Sequence, residues 1–382
     1  MIVAGGIYAE TCVSPPSTSL FGSGGRAALA LTGLMPKVEL HAFQPARLAG
    51  EVFPNFEPFG VDVHLHPSSE RVQFHYLHPL SRPRIFPIPL PRSGRIDIAG
   101  SSMLRFGCLE GEFRVAGDTV VYDPQTAVSP ELFHSNGSSA NRLATVLNKA
   151  ELRTLTQTSD IAAGAQALSE VDASDVVIVK AGPDGAYVFE GGKLIGHVPA
   201  YEASAIHKVG SGDTFSAAFA FYWMTAGVEP IEAARRASLH TADYVETRRS
   251  VFQAEVPDRQ PLLRSDKSTV LVALGRAGAT ASWLLDEALA GLWDLGVSAR
   301  VHDGALSDVF TVLRNGEALL LLDPPASFLH ANGHRLHRAV AYMETAEAPE
   351  ASLVDVERDL TTALYKVAWK PSGRFWSVSA QE

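Results

Sequence analysis

Residues 207–227 read HKVGSGDTFSAAFAFYWMTAG and place a glycine-containing turn before a long apolar segment. The segment has the composition of a buried helix. At its start, Gly210, Ser211 and Gly212 leave backbone N–H groups unobstructed. A helix N-terminus carries about half a positive charge, so such a turn suits a phosphate or a developing oxyanion. The stretch therefore predicts an anion-binding turn at the start of a buried helix.

Asp213 follows this turn directly. A carboxylate repels a bound phosphate and is a poor ligand for it, but it is well placed to accept a proton from an attacking hydroxyl. The alternative is an acidic residue in the first helical turn that only complements the helix dipole. These residues alone leave both interpretations open.

The chain on either side of this stretch alternates between apolar strands and helices, which is typical of a largely parallel α/β sheet. A length of 382 residues corresponds to about two domains. We predict a first domain over 1–257, a polar linker over 258–268 and a smaller doubly wound α/β domain over 269–382. The predicted strands are Ile2–Ala4, Thr119–Tyr122, Val176–Val179, Thr269–Leu274 and Ala318–Leu322, and the predicted helices lie near Asn141–Leu147, Ile161–Leu168, Ala281–Trp293 and Ser352–Ala368.

A proline-rich part between Phe53 and Arg92 differs from the rest of the first domain. Its alternating apolar residues predict half-exposed strands, first over 61–65 and then over 72–76. We interpret them as a β-lid inserted at about 53–95, outside the main sheet. Four histidines lie there, and a metal site is one interpretation of them. No cysteine or carboxylate clusters with them, and a polar sheet face is the alternative. The histidines are His64, His66, His75 and His78.

The composition is that of a protein with a sizeable core: 46% of residues are hydrophobic and 19% are charged. The net charge of −10 argues against general binding to nucleic acid or to an anionic membrane. The longest apolar uncharged run, Thr214–Val228, is shorter than the roughly 20 residues that cross a bilayer. The N-terminus lacks the basic region of a signal peptide, and two cysteines make no disulfide framework. We expect a cytoplasmic protein.

Five stretches occur in one order along the first domain, and together they resemble the ribokinase-like carbohydrate kinases, also called the phosphofructokinase-B family. The resemblance covers residues 1–257. It implies an α/β/α sandwich with a small β-lid, and a transfer of phosphate from ATP, with Mg²⁺, to a hydroxymethyl group of a sugar, nucleoside or related metabolite. The stretches are Gly24-Gly25, Asp123-Pro124-Gln125, Asn148–Glu151, Val176–Val188 and Gly210–Phe215.

The resemblance also implies roles for individual residues. Asp213 would be the catalytic base, and Gly210, Ser211 and Gly212 would hold the transferring phosphoryl group. Asn148 and Glu151 would organise Mg²⁺ through water, although a helix-capping arrangement explains this pair equally well. The nucleotide would contact Lys180, Gly182, Gly185 and Ser238, and the substrate side would include Glu10, Gly24, Gly25 and Leu29.

The chain departs from the family pattern on the substrate side. Leu29 stands where an asparagine commonly binds substrate hydroxyls, Glu10 replaces the usual aspartate, and 207–209 replace the residues of a monovalent-cation site. A pocket facing Leu29 would favour a deoxygenated carbon or an apolar group, because a hydroxyl there would go unpaired. The alternative is that Leu29 belongs to the core.

Residues 269–304 and 313–325 resemble, more distantly, the nucleoside 2-deoxyribosyltransferases, with Asp323 ending a strand. His337 stands where that family has its glutamate nucleophile, so glycosyl transfer would be lost. We interpret the second domain as a remnant that binds a nucleotide or nucleoside, or as a subunit contact. An ordinary α/β domain is the alternative.

The leading hypothesis is therefore an ATP- and Mg²⁺-dependent kinase, with a homodimer formed through the β-lid and with no nucleic-acid or membrane partner. A competing hypothesis is a non-catalytic sensor, in which the kinase fold binds nucleotide or sugar and the second domain relays occupancy. A bifunctional kinase and nucleoside hydrolase is a third.

Overall fold

The structure is a computed structural model that describes residues 1–90, 93–126, 129–262, 269–336, 339–343 and 354–369. In chain order the strands are β1 (Ile2–Ala4), β2 (Ala9–Cys12), β3 (Ser17–Leu20), β4 (Val38–Gln44), β5 (Val61–Pro67), β6 (Gln73–Tyr76), β7 (Arg84–Phe86), β8 (Arg95–Phe106), β9 (Glu112–Asp123), β10 (Ser139–Asn148), β11 (Val176–Lys180), β12 (Ala186–Glu190), β13 (Lys193–Val198), β14 (Thr269–Leu274), β15 (Ser298–His302), β16 (Ala318–Leu322), β17 (Ala339–Tyr342) and β18 (Asp355–Glu357). The α-helices are α1 (Gly22–Leu31), α2 (Ala49–Val52), α3 (Lys149–Thr156), α4 (Ile161–Val171), α5 (Ser211–Ala220), α6 (Pro230–Thr247), α7 (Ala279–Asp294), α8 (Val309–Val312), α9 (Ala326–Asn332) and α10 (Leu360–Trp369).

Within the described residues, the largest sheet has nine strands in the order β13-β12-β11-β10-β9-β8-β1-β4-β5. All neighbours from β11 to β5 run parallel, and β12 and β13 add an antiparallel hairpin at the opposite edge. The predicted α/β fold class is confirmed.

Helices cover both faces of this sheet. Alternate residues of β11 separate the two layers: Val176 and Ile178 lie in the core shared with α1, α5 and α6, whereas Val177 and Val179 pack with Leu152 and Leu168 of α3 and α4. A strand buried on both faces is apolar at successive positions rather than at alternate ones.

The same property explains an incorrect prediction. Residues 141–147 were expected to form a helix, but they lie in the central strand β10. Leu143, Ala144, Val146 and Leu147 are all buried, because β10 has neighbours on both sides and helices on both faces. A continuous apolar run of this length does not distinguish a buried strand from a buried helix.

The lid is a separate four-stranded sheet in the order β3-β2-β6-β7. Its composition differs from the prediction in two ways. Residues 61–65, expected in the lid, belong to β5, which pairs in parallel with β4 at the edge of the main sheet. Conversely, β2 and β3 precede the predicted insertion and supply half of the lid.

A second, all-parallel sheet follows in the order β15-β14-β16-β17-β18. Its last part differs from the predicted helix over 352–368: Val356 lies in strand β18, and the helix α10 begins only at Leu360. Ser352 and Leu353 lie outside the described residues, as does His337. The boundaries of the two domains and of the linker stay a prediction.

The part of the chain that forms the second sheet contacts the first part at two places. His78, just after β6, pairs with Glu287 of α7 at 2.7 Å, and the backbone N–H of Ile206 donates to Thr362 Oγ1 of α10 at 3.0 Å. Among the helices described, none combines the length and apolar character needed to cross a membrane.

Candidate active site

Three parallel strands of the main sheet end in polar residues at one edge. β9 ends at Asp123, β10 at Asn148 and β11 at Lys180, and the three strands are direct neighbours. Ligand sites in open α/β sheets form outside the carboxyl ends of the strands. Helix α5 begins at this edge, because its second residue, Gly212, approaches Lys180 Nζ.

The predicted anion turn forms the N-terminus of α5. Gly210 is the N-cap residue with φ of +82°, and Ser211 is the first helical residue. A side chain at position 210 would be strained by this φ and would overlap Arg26, whose Nε lies 1.9 Å from the ideal Cβ position. Tyr244 fixes the approach to the turn by donating to the Val209 carbonyl at 2.7 Å.

Asp213 lies in the first turn of α5 and is buried. Arg26 Nε donates to its Oδ2 at 3.3 Å, and Gln125 Nε2 donates to its Oδ1 at 3.0 Å. Burial raises the pKa of Asp213 to about 6, against the opposing effect of the Arg26 charge. A carboxylate with this pKa is largely ionised at neutral pH and can accept a proton.

Lys180 and Asp123 form a buried ion pair close to the anion turn. Asp123 Oδ2 accepts hydrogen bonds from Lys180 Nζ and from Ser216 Oγ, each at 2.6 Å. Burial disfavours the charge of Lys180, but the neighbouring carboxylates, Asp123 first, hold its pKa above the ordinary value. Lys180 is therefore charged and stands close to Gly212.

Lys208 is a second cation at the turn, and its Nζ donates to Ser211 Oγ at 3.0 Å. Burial and the charge of Lys180 lower the pKa of Lys208. Two lysines held this close together repel each other, and a bound phosphate would relieve the repulsion. The turn and both lysines are therefore suited to bind an anion, and this role stays a prediction.

Asn148 and Glu151 form a complete capping box at the start of α3. Asn148 Oδ1 accepts from the Glu151 N–H at 2.9 Å, and Glu151 Oε2 accepts from the Asn148 N–H at 2.8 Å. Burial and the charge of Asp123 raise the pKa of Glu151 to about 7. A divalent cation would stabilise the ionised form of this carboxyl, so the donor set fits Mg²⁺ as well as a cap. The metal role stays a prediction.

A cavity of about 370 Å³ opens beside the anion turn. Its lining includes polar residues, among them Lys208, Ser211 and Gly212, and apolar residues, among them Phe215 and Val245. All residues predicted to contact the nucleotide or Mg²⁺ line this cavity: Asn148, Glu151, Lys180, Gly182, Gly185 and Ser238. We refer to it as the donor pocket.

A second cavity, of about 200 Å³, is lined by Asp213 and by Gly210 of the anion turn. Glu10 and Gln125 supply polar groups to it, and the lid contributes the rings of Phe74 and Tyr76. We refer to it as the acceptor pocket.

Three residues predicted for the substrate side line none of the described cavities. A Cβ at Gly24 would lie 2.6 Å from the backbone of Gly5, and one at Gly25 would lie 2.8 Å from the ring of Phe56, so both glycines allow α1 to pack closely. Leu29 is 1% exposed and belongs to the core between α1 and the sheet. The structure therefore favours the core interpretation of Leu29, and the substrate preference inferred from it has no structural basis.

Two parts of the site were missed by sequence reasoning. Arg26 links Asp213 to Glu10, whose Oε2 accepts from Arg26 Nη2 at 2.5 Å. Its position next to Gly24-Gly25 was the only available signal. Tyr365 and Leu262 reach the donor pocket from beyond residue 257, and no sequence motif marks them.

Residues 115–251 match the model of the pfkB family carbohydrate kinases. The match covers about a third of the chain. The pfkB match contains Asp123, the capping box of α3, Lys180 and the anion turn, which are the main parts of the site. It does not extend to residues 269–382, and the resemblance of that part to nucleoside deoxyribosyltransferases stays a prediction.

Solved structures of ribokinase-family kinases resemble the chain at low identity. Ribokinase from Thermotoga maritima is 16% identical with a TM-score of 0.47, covering 68% of this chain and 97% of its own. A phosphofructokinase-2 mutant from Escherichia coli is 14% identical with a TM-score of 0.48, covering 66% and 95%. A pyrophosphate-dependent kinase complexed with a pyrophosphate analog and myo-inositol is 15% identical with a TM-score of 0.45, covering 64% and 95%. No curated protein matches the chain.

Proposed function

We propose that the chain is a kinase that transfers the γ-phosphoryl group of ATP to a hydroxymethyl group of a sugar, a nucleoside or a related small metabolite. The observation that carries the proposal is the meeting of two pockets at one helix N-terminus. Gly210 and Asp213 line the acceptor pocket, and Ser211 and Gly212 line the donor pocket. A phosphoryl group passing between the pockets must cross the anion turn.

The proposed chemistry follows from these positions. The acceptor hydroxyl oxygen attacks the γ-phosphorus while its proton passes to Asp213. The bond from the γ-phosphorus to the β–γ bridging oxygen breaks, and ADP leaves. The backbone N–H groups of the turn and the charges of Lys180 and Lys208 stabilise the transferring group, which is where catalysis of phosphoryl transfer is concentrated. Asn148 and Glu151 would hold Mg²⁺, which neutralises phosphate charge when bound.

The lining of the donor pocket supports ATP as the donor. Its apolar side chains, Phe215, Ala242, Val245, Leu262 and the ring of Tyr365, suit a nucleobase. Pyrophosphate, the donor of one solved kinase named above, has no apolar group to cover these side chains. A direct comparison of turnover with ATP and with pyrophosphate tests this assignment.

One observation favours the competing hypothesis of a non-catalytic sensor. Both carboxylate oxygens of Asp213 already have partners, Arg26 and Gln125. A substrate hydroxyl must therefore use a remaining lone pair of the carboxylate beside these bonds, or displace one of them. Catalytic hydrogen bonds often form only in the substrate complex, so the arrangement does not exclude an enzyme. A sensor would bind nucleotide without consuming it.

The test is a screen of ATP consumption across sugars, polyols and nucleosides, with the phosphorylated product identified by mass spectrometry. Asp213→Asn should lower turnover by roughly 10²–10⁴, the usual contribution of a general base, and should leave ATP binding unchanged. Asp118→Asn is the matched control, because Asp118 is exposed and remote from both pockets. Tight ATP binding without product for any acceptor would favour the sensor, and full turnover in Asp213→Asn would contradict the role of the base.

We also propose that the lid mediates a homodimer. Several large apolar side chains of the lid are exposed, among them Val13, Leu77 and Ile88, and Ile88 is 80% exposed. Pairing of two lids would bury this surface. Sedimentation velocity should show a dimer that Ile88→Asp weakens, and a monomer at all concentrations would contradict the proposal.

A further inference from the structure

The outward face of the strand pair β4–β5 carries a cluster of imidazoles and carboxylates. In the parallel register, Glu39 lies opposite Asp62, His41 opposite His64, and Phe43 opposite His66. The intervening residues, such as Leu40 and Val61, point the other way into the core against α1. Pairing of the two strands thus brings His41 of β4 next to His64 and His66 of β5. None of these histidines lines a described pocket.

The donor atoms of this cluster lie close together. Glu39 Oε1 lies 2.8 Å from His41 Nε2 and 3.5 Å from His64 Nε2, and the three ligand atoms all lie within 4.8 Å of one another. Ligand atoms around a tetrahedral Zn²⁺ with bonds of about 2.0–2.1 Å are about 3.3 Å apart. The two rings are stacked with their planes 9° apart, so binding requires them to tilt until their in-plane lone pairs meet at one ion.

A fourth ligand and an outer partner are also present. Asp62 Oδ1 lies 3.4 Å from His64 Nε2 and can complete the set. His41 Nδ1 lies 3.0 Å from His66 Nε2. When His41 uses Nε2 toward a metal, its Nδ1 carries the proton and donates to His66, the kind of bond that orients metal-ligating histidines.

An ordinary polar sheet face does not require this arrangement. The His41 ring is stacked on His64 with centroids 4.7 Å apart, and the His41 side chain is only 12% exposed. Imidazole nitrogens are the commonest metal ligands in proteins. Two imidazoles with one or two carboxylates match borderline divalent transition metals rather than Mg²⁺ or Ca²⁺.

We propose that Glu39, His41 and His64, with Asp62 or water as the fourth ligand, form a binding site for a divalent transition metal of the Zn²⁺ class. The ion would join the edge strand β5 to β4 from the face that α1 does not cover. Its binding to the folded state would raise the free energy of unfolding by RT ln(1 + c/Kd), where c is the concentration of free metal. The site is independent of the proposed kinase chemistry.

The test is calorimetric titration of the metal-stripped full-length protein with Zn²⁺ in the absence of nucleotide, followed by Co²⁺ as a visible-absorption probe of tetrahedral coordination. We expect a one-equivalent site and a raised melting temperature. Glu39→Gln and His64→Ala should each weaken binding at this site at least tenfold. The His64 side chain is 43% exposed, so its truncation should leave the fold intact.

Two controls locate the ion. His75→Ala removes an exposed lid histidine outside the cluster, and Glu151→Gln alters the donor pocket. Both should keep the one-equivalent site. Absence of stoichiometric binding, persistence of binding in both Glu39→Gln and His64→Ala, or its loss in Glu151→Gln would overturn the proposal.

Discussion

The Nε atom of Arg26 lies 3.3 Å from Oδ2 of Asp213, and Nη2 of the same guanidinium donates a hydrogen bond to Oε2 of Glu10. The arginine is buried and joins α1, the lid strand β2 and the N-terminus of α5 at the acceptor pocket. It fixes the proposed base in position and partly offsets the effect of burial on its pKa. A residue 187 positions away in the chain therefore lowers the pKa of the base against the effect of burial and helps to orient it.

The first prediction concerns the pH dependence of turnover. Burial raises the pKa of Asp213 to about 6, and only the ionised carboxylate can accept the proton. We expect kcat/KM to be constant above about pH 7 and to fall about tenfold per pH unit below 6. ATP ionises in the same way in assays of both proteins, so the residual activity of Asp213→Asn is the control, and its profile should lack the limb that belongs to the carboxylate. A flat wild-type profile down to pH 5 would contradict the assignment.

The second prediction concerns Arg26. Arg26→Met removes the charge that lowers the pKa of Asp213, so the acid limb of the pH profile should move to higher pH. Arg26→Lys keeps a positive charge, so its acid limb should lie close to that of the wild type. Removing one partner of a buried ion pair also costs about 3–5 kcal/mol of stability. Glu10→Gln combined with Arg26→Met should recover part of that loss. The pH profiles and urea unfolding measure the two effects separately, and an unshifted limb in a folded Arg26→Met protein would exclude the positioning role.

The site residues that could be predicted from the sequence are those marked by a short local pattern. A glycine turn before an apolar helix can be recognised from a short stretch, and so can Asp123 and Lys180, each of which directly follows a predicted strand. Relations between distant segments cannot. The contact of Arg26 with Asp213 and the facing of His41 with His64 depend on strand order and helix packing, which no local pattern encodes.

The mistakes in secondary structure have a similar cause. Leu143, Ala144, Val146 and Leu147 are all buried because β10 is central and covered on both faces, so this part of the segment lacks the alternation that marks a half-exposed strand. Val61, Val63 and Leu65 do alternate, but this pattern does not say which sheet the strand joins. They belong to the edge of the main sheet, since the side of β4 opposite β1 is open to a further parallel strand.

The third prediction concerns Tyr365, which α10 contributes to the donor pocket. Loss of an aromatic contact of this kind is worth about 0.5–1.5 kcal/mol beyond area burial. Tyr365→Ala should therefore raise the KM for ATP roughly three- to tenfold, with kcat little changed, and Tyr365→Phe should behave as wild type. Steady-state kinetics with ATP as the varied substrate measures this. An unchanged KM for ATP in Tyr365→Ala would show that the second domain does not contribute to donor binding.

The last prediction concerns Glu110, a buried carboxyl that accepts a hydrogen bond from Tyr8 at 2.9 Å. Burial raises its pKa from 4.5 to about 7, so the folded state holds a proton that the unfolded chain releases between these values. This group's contribution to stability is fully present below pH 4.5 and is lost as the pH rises through 7, by up to about 3 kcal/mol. Glu110→Gln stays neutral and can still accept from Tyr8. The free energy of urea unfolding of Glu110→Gln minus that of the wild type should therefore be larger at pH 8 than at pH 5. An equal difference between the two proteins at both pH values would show that Glu110 is not protonated in the folded state.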